Sequence, residues 1–100
     1  MTVYAFVPDL MDRSKVVAAA PAAVVVTQPG QLAAGTGDLV VLDLARTGAL
    51  DAIGPLIATG ARVIGFASHV DREGIDAARI AGCEVYARSA FFGRLRDLLA

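Results

Sequence analysis

Leu39-Val40-Val41-Leu42-Asp43-Leu44 is the stretch that decides the fold. A strand with one wet face alternates apolar and polar residues. A run that is apolar on successive positions is covered on both faces, as in a parallel sheet with helices above and below. Two further runs share this texture. One is Ala23-Val24-Val25-Val26-Thr27, closed by Pro29-Gly30, and the other is Arg62-Val63-Ile64-Gly65-Phe66-Ala67. Outside them lie Val3-Tyr4-Ala5-Phe6-Val7, closed by Pro8, and Glu84-Val85-Tyr86-Ala87.

Helix signals fill the intervals. Asp9 or Asp12 caps a first helix, with Met11, Val16, Val17 and Ala20 on one face. Gln31 to Ala34 leave room for only a turn or so of a second. Thr47 is a cap for a third, which carries Leu50, Ile53 and Ile57 at spacings of three and four and stops at Gly60. Pro55 inside it predicts a kink or a late start. Asp71 caps a fourth, with Ile75, Ala78 and Ile80-Ala81 before Gly82. Ser89 caps a fifth, with Phe92, Leu95 and Leu99 on one stripe. Strand and helix alternate throughout, and crossovers in such sheets are right-handed. The expected architecture is α/β: a five-stranded doubly wound parallel sheet of order 2-1-3-4-5, flavodoxin-like, with a short second helix.

Composition sets the outer bounds. One hundred residues make one domain, 1–100. Apolar residues are 56% and charged residues 19%, the reverse of the balance a disordered chain needs. A net charge of −1 leaves no basic surplus for phosphate backbones, so nucleic acid is not an expected partner. The uncharged stretch from Val16 up to Asp38 is broken by Pro21 and Pro29 and reads as a strand between turns, not a membrane span. MTVYAFVPDL has no basic leader, and the single Cys83 excludes an internal disulfide. Both features fit a cytoplasmic protein.

In doubly wound sheets, ligands sit at the carboxyl ends of the strands, near the point where strand order reverses. Asp43 stands there. It reads as a phosphoryl-transfer nucleophile or a ligand for a metal or ribose, and more simply as a strand end that accepts hydrogen bonds from its loop. Asp9 follows the first run and is close enough in sequence logic to share a magnesium ion with Asp43; its simpler role is the helix cap. His69, the only histidine, lies in Ser68-His69-Val70-Asp71, where Asp71 or Asp43 would orient it as a base. Arg88 offers a cation to an anion in the crevice. Ser89 reads first as a cap, and Cys83 as a small buried apolar residue. No G-x-x-x-x-G-K-[ST] and no G-x-S-x-G occurs, and Gly35-Thr36-Gly37 precedes a strand where a phosphate loop would follow one.

The element order, the acid closing Leu39-Val40-Val41-Leu42-Asp43, the small polar stretch after the fourth run, and Gly82-Cys83-Glu84-Val85-Tyr86 followed by Phe91 resemble the receiver domain of bacterial response regulators over nearly the whole chain. The resemblance implies that Asp43 takes the phospho-acceptor position. Pro8-Asp9 falls on the acidic pair that holds magnesium, with one acid of two. Ala67 falls on the Thr/Ser that senses the phosphate, with Ser68 next to it. Ser89 falls on the Lys that pairs with the phosphate, with Arg88 before it and Ala90 on the usual Pro. These departures imply a pseudo-receiver. It would be a signalling or adaptor module without a normal phosphorylation cycle, not an enzyme, with magnesium relevant only if Asp43 is phosphorylated. Its expected partner is a protein or a second copy. Contact would be made through the face built by the helix after Asp71, the fifth run and the last helix, where Tyr86, Phe91, Phe92, Arg94 and Arg96 gather. Two alternatives remain open: an active phospho-acceptor using Asp43 with magnesium, and a small crevice-binding enzyme or ligand domain using Asp43, His69 and Asp71.

Overall fold

The structure is a computed structural model that describes residues 1–100. The strands are β1 (Val3–Phe6), β2 (Val24–Val25), β3 (Leu39–Asp43), β4 (Arg62–Ala67) and β5 (Glu84–Ala87). The helices are α1 (Leu10–Ala19), α2 (Ala49–Ala58), α3 (Arg72–Ile80), α4 (Arg88–Gly93) and α5 (Leu95–Leu99). All strand pairs are parallel, and the order is β2-β1-β3-β4-β5, so the flavodoxin-like arrangement read from the sequence is the one found.

The texture of β3 has a direct structural cause. Val40 and Leu42 join a core with Ile53 and Leu56 of α2 and Ala78 of α3. Leu39 and Val41 face the other way, onto Val16 of α1, Phe91 of α4 and Leu98 and Leu99 of α5. Every residue of the strand is therefore buried, each large side chain stabilising the fold by about 1.5–3 kcal/mol. β4 repeats the pattern with Val63 on one side and Ile64 and Phe66 on the other. Gly65 lies between them for lack of room: a Cβ there would stand 2.7 Å from the Leu44 side chain. No helix is long and apolar enough to cross a membrane.

Several local expectations are corrected. The second helix is a single 3-10 turn at Pro29–Gln31, earlier than the 31–34 segment expected. Gln31 Oε1 holds it by accepting from the Thr27 and Gln28 backbone N–H groups at 3.0 and 3.1 Å, and the chain then reaches β3 through a turn at Thr36 and Gly37. α2 starts after Gly48, whose φ of +87° suits glycine, so Thr47 is not its cap. The helix does not start late, and it continues through Pro55 to Ala58. The last helix is capped at Ala87 and not at Ser89, which lies in the first turn of α4, and it breaks at Arg94 into α4 and α5. The break turns Leu95, Leu98 and Leu99 onto the sheet.

Candidate functional site

Strand register sets the site. Phe6 pairs with Leu42, Asp43 with Phe66, and Ala67 with Ala87. The residues just beyond these points share the carboxyl rim of the sheet: Asp9 after β1, Asp43 at the end of β3, Ser68 after β4, and Arg88 and Ser89 after β5.

Asp9 caps α1, its Oδ1 accepting from the Asp12 N–H at 2.9 Å. That hydrogen bond, helped by the Met11 N–H and the Arg88 and Arg46 charges and opposed by partial desolvation, holds the Asp9 carboxyl below the usual carboxylate range. One turn in, Asp12 points inward. It is only 3% exposed, and Arg88 Nη2 donates to its Oδ1. Asp43 is 6% exposed. Its Oδ1 accepts from the Ala45 N–H at 3.1 Å and its Oδ2 from Arg46 Nε at 3.3 Å. Two of the three carboxylates are thus paired with guanidinium groups, Asp43 with one from the loop after β3 and Asp12 with one from the start of α4, while Asp9 is held by backbone N–H groups.

Arg88 is the centre of this arrangement. Its guanidinium carbon lies 5.5 Å from the Phe66 ring centroid and 5.1 Å from that of Phe92. Those rings belong to a triad in which Phe66 stacks on Phe91 at 4.8 Å and Phe92 meets both edge-on. The aromatic floor fixes the cation, and the charge-assisted bond to Asp12 raises its pKa further, with the Asp43 and Asp9 charges acting in the same sense against desolvation. The sequence reading placed Asp12 as an alternative helix cap and missed this role. The signal was its spacing: Asp12 stands four residues before Val16, so the two share a helix face, and Val16 is core.

The remaining candidates are dispersed. Ser68 and His69 are exposed on the β4–α3 loop. Asp71 caps α3, accepting from the Gly74 N–H at 3.1 Å, and neither it nor Asp43 hydrogen-bonds His69. The geometry therefore holds no oriented base. Phe91 is fully buried between sheet and helix, so it is removed from the expected contact surface. Tyr86 and Phe92 are partly buried, while Arg94, whose guanidinium carbon is 5.9 Å from the Tyr86 centroid, and Arg96 are exposed. Cys83 is buried, and burial pushes its thiol pKa up to about 12.

No three His, Cys, Asp or Glu side chains gather closely enough to hold a metal ion, and the positive charge at the rim comes from Arg88 and Arg46. Comparison with family models, curated proteins and solved structures gives no match for the chain.

Proposed function

We propose that this domain is a receiver-like signalling or adaptor module held in a single state, which acts through protein contacts without a phosphorylation cycle. The observation that carries the reading is the ion pair between Arg88 and the buried Asp12. A phospho-acceptor needs a free carboxylate oxygen and a cation aimed at it, because phosphorylation replaces a singly charged carboxylate with an acyl phosphate that carries about two negative charges at neutral pH. Here both oxygens of Asp43 are engaged by the loop that follows it, and the bond that Arg88 makes goes to Asp12 and not to Asp43. Ala67, which ends β4, has no hydroxyl with which to report a phosphate. What remains for communication is surface. The exposed Arg94 and Arg96 flank the partly buried Tyr86 and Phe92, a composition suited to a protein interface.

Two measurements test this. Millimolar beryllofluoride with magnesium, followed by amide NMR, is expected to leave Leu44, Ala45 and Arg46 unmoved. A saturable shift of those amides overturns the single-state reading in favour of an active acceptor. Light scattering on wild type and on the Arg96→Glu, Phe92→Ala double variant reads the contact surface. Loss of a dimer, or of a captured partner, in the variant is expected. A monomer that binds the same partners with and without the changes removes the interface.

A further inference from the structure

A cleft of about 480 Å³ opens at the rim between α1 and the start of α4. Lys15, Ser68, His69, Arg88, Ser89 and Phe92 line it, and no acidic side chain does. The ion pairs of the chain are Arg46–Asp43, Arg62–Glu84 and Arg88–Asp12, so Lys15 has no carboxylate partner. Its Nζ instead sits 5.2 Å from the Phe92 centroid, the ring that also carries Arg88 at 5.1 Å. The hydroxyls that find partners within the chain are those of Ser14, Thr27, Thr36 and Thr59; Ser68 and Ser89 keep theirs free.

Two cations share one ring, and Asp12, the acid that Arg88 bonds, does not line the cleft. Arg88 spends one Nη2 bond on Asp12, which lies behind it and is buried, and guanidinium has further N–H donors. A Lys ammonium, an Arg fork, two hydroxyls and an imidazole arrive from α1, the β4–α3 loop and α4. That is more donor capacity than a carboxylate uses, and it matches the three oxygens of a phosphate monoester, with Lys15 bringing the charge that no carboxylate of the chain pairs. The wall continues past Phe92 into a second cavity of about 390 Å³ that shares Lys15 and adds Arg94, Arg96 and Asp97.

We propose that this cleft binds a phosphate monoester carried by a small molecule. The oxyanion is held by Lys15, Arg88 and the Ser68 and Ser89 hydroxyls, and the organic part lies along Phe92. The site is separate from the Asp43 carboxylate and involves no transfer of phosphate to it, so it stands or falls apart from the single-state reading.

Amide NMR titration with phenyl phosphate, inorganic phosphate and benzoate tests it. Phenyl phosphate is expected to give a saturable shift of Ser68, Ala87, Ser89 and Phe92. Inorganic phosphate should bind the same amides more weakly, for want of the ring, and benzoate more weakly than phenyl phosphate, for want of the second charge. Lys15→Gln, at an exposed position and checked for an unchanged spectrum elsewhere, should weaken phenyl phosphate about tenfold. Arg72→Gln, outside the cleft, should leave it unchanged. Shifts that never saturate, equal binding of benzoate, or a Lys15→Gln variant that binds as wild type would each overturn the proposal.

Discussion

The pair between Arg88 and Asp12 can be measured directly as a coupling energy. Two unit charges in contact are worth about 4 kcal/mol at the effective dielectric that reproduces protein data. The Asp12 side chain is only 4% exposed, but that of Arg88 is 49% exposed, so solvent screens the pair from one side. Halving the figure gives a coupling of about 2 kcal/mol for a double-mutant cycle of Asp12→Asn, Arg88→Met and the double variant. Methionine keeps an unbranched stem to cover Phe66 and Phe92, which isolates the charge. Urea unfolding at neutral pH reads the four stabilities. Arg88→Met alone is expected to be the worst, because it leaves a buried carboxylate without its cation, and its melting temperature should fall by roughly 8–16 °C in a domain of this size. Restoring neutrality with Asp12→Asn in the same chain should recover most of the loss. A coupling below about 0.5 kcal/mol would place the pair among ordinary surface contacts and refute the claim that it organises the rim.

Gly65→Ala should cost about 1–3 kcal/mol in unfolding free energy, since the new methyl meets Leu44 at 2.7 Å; in a Leu44→Ala background the same change should cost far less. Cys83 should resist maleimide at pH 8 while folded and react on unfolding, because a pKa of about 12 leaves roughly one thiol in ten thousand ionised; rapid native labelling would contradict its burial. Asp38 accepts from the Gly35 and Thr2 N–H groups at 2.9 and 3.0 Å, which lower its pKa. A depressed folded pKa gives stability that is present above the unfolded value of 3.8 and lost as pH falls through the folded one. The urea midpoint should therefore drop below about pH 4, and Asp38→Asn should flatten that drop; an equally steep acid loss in the variant would clear Asp38 of any part in it.

The sheet was legible because burial on two faces leaves a one-dimensional trace: β3 and β4 cannot be apolar on successive residues and still face water. Their order followed from handedness and short connections. The ends of elements were less legible. Ser89 looks like a cap in sequence, but the chain turns into α4 two residues sooner, where Ala87 leaves β5 in extended conformation with φ −60° and ψ 146°. The break at Arg94 is equally invisible, since Phe92, Leu95 and Leu99 suit one continuous stripe. The halves in fact pack separately, Phe91 against Phe66 and Leu98 and Leu99 against the far end of the same core. At the rim, Asp9, Asp43 and Arg88 were found from topology alone. The partner of Arg88 was not, because 76 residues separate it from Asp12 and only the assembled sheet brings the carboxyl ends of β1 and β5 onto one rim. Phe91 was misjudged for a related reason: aromatic residues favour interfaces and cores alike, and composition does not separate the two.

Arg88 is a counter-ion delivered by covalent attachment. Its local concentration beside Asp12 is set by the fold and owes nothing to the salts around the protein, so chelators and dilution leave it in place. Assembly of the rim and folding of the chain are thereby tied together: the cation arrives when β5 and α4 take their places beside α1.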